Sequence, residues 1–115
     1  MKRSAIKHRS VKGQEYEADY WAQMPLVHDR SGYRCEVMRH GGRCRNQAQA
    51  YPHHRKLRSQ GGSNSLDNLL DVCARCHDEI HREMPRSLAV ARGLIVPRDT
   101  AEFPYDPQEI EESDG

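Results

Sequence analysis

The chain has 115 residues, of which 36% are hydrophobic and 30% charged, with a formal net charge of +1. Ile, Leu, Val and Phe together number 18, about 16% of the chain, below the roughly 20% at which an apolar core alone sustains a soluble domain. Mean hydropathy is −0.98, and no apolar run nears the roughly 18 residues that span a bilayer, which excludes an integral membrane protein. The basic start MKRSAIKHRSVKG has no apolar segment behind it and is not a secretory signal, so a cytoplasmic location is expected. Disulfides are rare there, and the four cysteines and seven histidines read instead as metal ligands.

The small net charge hides an asymmetry. All 18 Lys and Arg lie in residues 1–98, and residues 99–115 carry 7 acids and no base. Residues 30–66 hold eight basic residues against one acid, Glu36, a candidate surface for phosphates.

Residues 1–13 read as a flexible basic arm, ahead of a single domain over residues 14–96. Tyr16, Tyr20, Trp21 and Met24 recur at helical spacing and read as core or a helix brace rather than a nucleobase platform. Pro25 is expected to interrupt this helix and restart a short one to Arg30, stopped by Ser31-Gly32. Residues 33–46, with Cys35 and Cys44 around His40-Gly41-Gly42, predict a hairpin or knuckle. Residues 48–54 predict a short strand, 55–67 a loop and 68–72 a short apolar run. A helix is expected over 73–83, ended by Pro85. A second is expected over 85–92, stopped by Gly93 with Leu94 as its hydrophobic C-terminal contact. Residues 97–115, with three of the six prolines, read as an acidic, disordered tail.

Cys73-x-x-Cys76 at a helix start, with Cys35 and Cys44 as a second pair, predicts a closed four-thiolate structural zinc site. Such a site can supply on the order of 10 kcal/mol to a fold with so thin a core. His8, His28 and His40 read as surface residues. His77 and His81, at i and i+4, share a helix face and can hold one metal ion. Cys76 and His77 are about 100° apart on that helix, so two distinct metal sites are expected on its two sides. Taken alone, His77 and His81 would read as solvated and Asn68 as a cap or turn residue.

The order Tyr51-Pro52-His53-His54-Arg55, Gly61-Gly62-Ser63, Asn68-Leu69-Leu70 and Cys73-x-x-Cys76-His77-x-x-x-His81 resembles the HNH endonuclease family, in its small zinc-bound, phage-type branch. The motif core spans residues 35–81. The resemblance implies a small α+β protein with a ββα-metal, treble-clef-like core and flanking helices. It implies His54 as general base, His53, His77 and His81 as ligands of a catalytic divalent ion, and Asn68 as the residue orienting the loop and the base. His53 and His54 could exchange roles, because strand neighbours point to opposite faces and share one site only at a bulge or strand end. A neutral imidazole, with an ordinary pKa near 6.5, can take a proton from water at neutral pH. Arg55, Lys56, Arg58 and Arg75 are candidate DNA-phosphate contacts, Arg55 foremost because it adjoins the base. The implied cofactors are a structural Zn2+ and a catalytic Mg2+ or Mn2+, with Ni2+ or Zn2+ also compatible with imidazole ligands. The implied partners are double-stranded DNA and a phage terminase large subunit, for a phage-encoded nuclease linked to DNA packaging. A zinc-stabilised DNA-binding module without catalysis would need the cysteines and the basic surface, but not His54 or the second metal. A protein-interaction adaptor that docks through the acidic tail is a third reading, and it is compatible with cleavage.

Overall fold

A computed structural model describes residues 11–39 and 42–106. The expectations for residues 1–10, His8, His40 and residues 107–115 lie outside the described residues. The chain is α+β, with two two-stranded antiparallel sheets among helices.

Helix α1 runs unbroken over Val11–Ser31, starting earlier than expected and passing through Pro25. Proline forfeits one backbone hydrogen bond and crowds the preceding turn, and tertiary anchoring overrides that cost. Val27 is fully buried. Arg30 forks onto both Glu36 oxygens at 2.9 and 2.8 Å and donates to the Leu66 and Leu69 carbonyls. Asp71, fully buried, receives the Ser31 hydroxyl and faces His28 Nδ1 at 2.9 Å. His28, expected at the surface, is thereby part-buried and engaged. The helix ends as expected, with Gly32 at φ +73° and Tyr33 N–H donating to the His28 carbonyl at 2.9 Å.

Strands β1 (Met38–Arg39) and β2 (Gly42–Arg43) form the expected hairpin. Strand β3 is only His53–His54, paired with β4 (Leu69–Leu70) so that His53 lies opposite Leu70 and His54 opposite Leu69. The longer strand expected over 48–54 does not form. Pro52 cannot donate to a ladder, and only the Gln49 N–H bond to Val72 O continues the pairing upstream. Between β3 and β4 lies the expected loop, with a 3-10 turn at Arg58–Gln60. Gly62 packs against backbone there: a Cβ on it would fall 1.8 Å from the Lys56 carbonyl oxygen.

The helix expected over 73–83 divides. Helix α2 (Ala74–Asp78) has Cys73 as its cap and gives way to a π turn over Glu79–Glu83, closed by Met84 N–H to the Glu79 carbonyl at 2.7 Å. Helix α3 (Arg86–Ala91) stops at Gly93, and Leu94 N–H bonds to the Ala89 carbonyl at 2.9 Å. Leu94 then joins Val37, Leu70, Val72, Ile80 and Ala89 in a core that also holds Cys35, Cys73 and Cys76.

The described part of the expected disordered tail, residues 97–106, is mostly exposed but is tied to the domain by a few side chains. Glu102 accepts from Ser63 N–H at 2.7 Å and from the Ser63 hydroxyl at 2.6 Å, and Phe103 and Tyr105 lie against the Arg55 guanidinium. Acidity and proline content suggested solvation; these specific partners, about 40 residues upstream, outweigh it.

Candidate metal centres and active site

The four cysteines meet at one point. The β1–β2 hairpin folds Cys44 back toward Cys35, with Cys44 N–H on the Val37 carbonyl at 2.8 Å. Cys73 caps α2, and Cys76 sits in its first turn. All four Sγ atoms lie within 4.8 Å of one another, and none is in a disulfide. A tetrahedron of zinc–sulfur bonds of about 2.3 Å has edges of about 3.8 Å, so the spacing fits one ion. The Cys35 thiol beside it and burial push the Cys76 thiol well above its usual range, and burial raises Cys44. Thiolates so crowded need a cation to compensate them. Donors already face the sulfurs: Arg39 Nη2 lies 2.9 Å from Cys76 Sγ, and Cys76 N–H lies 3.4 Å from Cys73 Sγ.

On the other side of α2, His53, His77 and His81 bring one ring nitrogen each within 4.8 Å of one another. His77 and His81 Nε2 atoms are 3.2 Å apart. His53 is buried, and its Nε2 lies 2.9 Å from the Leu94 carbonyl oxygen. A carbonyl only accepts, so Nε2 carries the proton and Nδ1 keeps its lone pair, an arrangement typical of a ligand oriented from behind. Burial holds the His53 ring neutral, its pKa pushed down to about 3, and burial and His81 lower that of His77. Neutral imidazoles are what a metal requires.

His54 does not join that cluster. The strand alternation turns it the other way, against the near-parallel rings of Tyr20 and Tyr16, at 5.0 and 6.0 Å between centroids. Both histidines nonetheless line one open cavity of about 620 Å³, with Tyr51, Leu57, His77 and His81 on its other walls. A two-residue strand at the rim of a cavity lets adjacent side chains serve different walls of one site.

Asn68, fully buried, makes its side-chain hydrogen bonds to the loop backbone rather than to His54. Its Oδ1 accepts from Lys56 N–H at 2.8 Å, and its Nδ2 donates to the Lys56 and Ser63 carbonyls at 3.0 and 2.9 Å. It thus clasps the β3–β4 loop, and the contact with His54 comes from Asn64 and Tyr16, at 2.7 and 3.1 Å. Neither was legible as a site residue: Tyr16 is indistinguishable from core in a helical stripe, and Asn64 from a turn former.

Arg55, expected to meet a phosphate, is 1% exposed. Its guanidinium donates to the carbonyls of Gly93 at 2.6 Å, Asp67 at 2.6 Å and Phe103. It follows His54 by one position and therefore points inward. Lys56 donates to the Thr100 carbonyl at 2.9 Å. Arg58 is exposed, its guanidinium 4.3 Å over the Tyr16 ring, and Arg75 is exposed beside Glu79.

One ordered pair of histidines, a clasped loop, a cysteine-capped helix bearing His77 and a π turn bearing His81 follow β2 consecutively. Residues 41–83 match the HNH endonuclease family. The match implies nuclease, and hence hydrolase, activity. The matched segment includes His53, His54, Asn68, His77, His81 and three of the four cysteines, whereas Cys35, Tyr16 and Glu102 lie outside it. No curated protein and no solved structure matches the chain. No helix among the described residues is long and apolar enough to cross a membrane.

Proposed function

We propose that this chain is a divalent-metal-dependent DNA endonuclease with a ββα-metal core, in which His54 is the general base. The observation that carries this reading is the division of labour in one cavity: three imidazoles converge on one another, and a fourth is held apart from them. That division supports His53 as the ligand and His54 as the base, rather than the exchange of their roles.

Strand β3, α2 and the π turn hold His53, His77 and His81, respectively, as the ligand set. A divalent ion bound there supplies a positive charge for the scissile phosphate and the leaving oxygen. The identity is most simply Mg2+ or Mn2+, with a structural Zn2+ in the cysteine cage. His54 takes one proton from a water molecule. The water oxygen bonds to phosphorus in line, the bond from phosphorus to the 3′ oxygen breaks, and that oxygen takes a proton from solvent, giving a 5′-phosphate and a 3′-hydroxyl. Arg58, Arg75 and Lys56, on the accessible side, attract the flanking phosphates. Asn68 acts on the loop and Arg55 on the strand, each keeping His54 at the cavity wall. Following the family resemblance, we extend the proposal to a phage-encoded nuclease acting in the host cytoplasm beside a terminase large subunit, a pairing that co-purification tests.

Plasmid nicking with wild type and His54→Ala in Mg2+ or Mn2+ tests the central reading. Cleavage by wild type alone supports it. Binding of DNA without cleavage by either protein would instead favour a zinc-stabilised DNA-binding module.

A further inference from the structure

Among the described residues, every side-chain hydrogen bond of His54 goes to one ring nitrogen. Asn64 Oδ1 and Tyr16 Oη both approach Nε2, while Nδ1 has no hydrogen-bond partner among the described residues. The neighbours decide which nitrogen holds the proton. Asn64 Nδ2 lies 2.7 Å from the backbone carbonyl of Tyr16, which only accepts, so the amide nitrogen faces α1 and the amide oxygen faces the imidazole. An amide oxygen also only accepts, so Nε2 must donate. The single hydroxyl proton of Tyr16 goes to the Gly62 carbonyl at 3.0 Å, so toward His54 that hydroxyl presents a lone pair. Two separate backbone carbonyls therefore dictate one tautomer. Asn64 is 2% exposed, and Glu102 pins the serines on either side of it, Ser63 and Ser65.

We propose that Asn64 and Tyr16 are positioning residues that hold His54 as the Nε2–H tautomer, making Nδ1 the atom that takes the proton from water. This rests on the nuclease reading and adds two residues to it, one of them from a helix outside the matched segment. In the step, the water O–H bond breaks as Nδ1 forms its N–H bond. The ring becomes an imidazolium whose Nε2–H still faces the same two acceptors, so the positive charge is stabilised without rearrangement. The opposite tautomer would present a proton, not a lone pair, to the water.

Long-range 1H–15N spectra of the full chain loaded with zinc and Mg2+ read the tautomer directly, with His54 assigned by the signals lost in His54→Ala. The expected result is a protonated-type Nε2 and a lone-pair-type Nδ1. Asn64→Ala should mix the tautomers and lower kcat roughly 10²-fold with KM little changed, and Asn64→Asp, which keeps an acceptor toward Nε2, should recover part of that loss. Tyr16→Phe should retain the tautomer through Asn64. A wild-type ring protonated on Nδ1 overturns the proposal, as does an Asn64→Ala protein with unaltered tautomer and rate. If Asn64→Ala loses zinc or fold, the wild-type spectrum decides alone. A wild type with the assigned tautomer and no nicking refutes the nuclease reading separately from the tautomer.

Discussion

The two sides of α2 solve different problems with similar chemistry. On one side four sulfurs close on a point inside the hydrophobic core. On the other, three imidazoles converge at the edge of an open cavity. Four soft donors saturate a tetrahedron and leave nothing for a substrate, whereas three donors leave coordination positions open. Donor count and burial thus separate the proposed fastening from the proposed reaction site, although residues 76 and 77 are adjacent in the chain.

The comparison is broken most sharply at the cysteines. Cys73→Ser should abolish the cooperative fold, because it removes both a ligand and the α2 cap, and about one zinc per chain should be lost. Metal analysis with circular dichroism checks this, and a folded, zinc-free variant would contradict the structural assignment. On the histidine side the losses should be functional. His54→Ala should reduce nicking by roughly 10²- to 10⁴-fold while zinc content and thermal unfolding stay close to wild type. His77→Ala should fall between these extremes, with activity partly restored by higher Mn2+ in a titration of rate against metal. His53→Ala should share that metal dependence and also lose stability, since its ring is buried on the Leu94 carbonyl.

A smaller effect is expected at the protein–phosphate surface. Arg58→Ala should weaken DNA binding for all sequences and lower the slope of log affinity against log salt by about 1; Arg55→Ala should instead destabilise the fold. The smallest effect concerns Glu102. Burial raises its pKa, but hydrogen bonds from Ser63 and Ser65 outweigh this and hold the carboxyl below its usual range. A depressed folded-state pKa contributes stability above the unfolded value that is lost as pH falls through the folded one. Glu102→Gln should therefore flatten the acid side of the stability curve, measurable by thermal unfolding between neutral pH and pH ~3.

The sequence carries the parts of this arrangement that depend on spacing. Cys73 and Cys76, His77 and His81, and the Gly93 stop with Leu94 all follow from helical geometry within a few residues. What stays hidden there depends on distant partners. Pro25 reads as a break until the contacts of Arg30, His28 and Val27 are known. Arg55 reads as a free cation until three carbonyls from separate segments surround it. Residues 97–106 read as solvated until Glu102 and Phe103 find the loop and the strand. The orientation of His54 depends on Asn64, ten residues away, and on Tyr16, 38 residues away.

The buried Arg55 guanidinium also sets an order of events during synthesis. Its carbonyl partners lie 12, 38 and 48 residues further along the chain. A nascent polypeptide that has reached only the end of the histidine-bearing helix already contains every residue assigned to chemistry, yet has satisfied just the nearest of those three bonds. Until position 103 leaves the ribosome, the strand holding His53 and His54 is one fastening short, with Arg55 Nη1 held by the Asp67 carbonyl alone. The Arg55 cradle is thus closed only after every histidine of the candidate site has been synthesised.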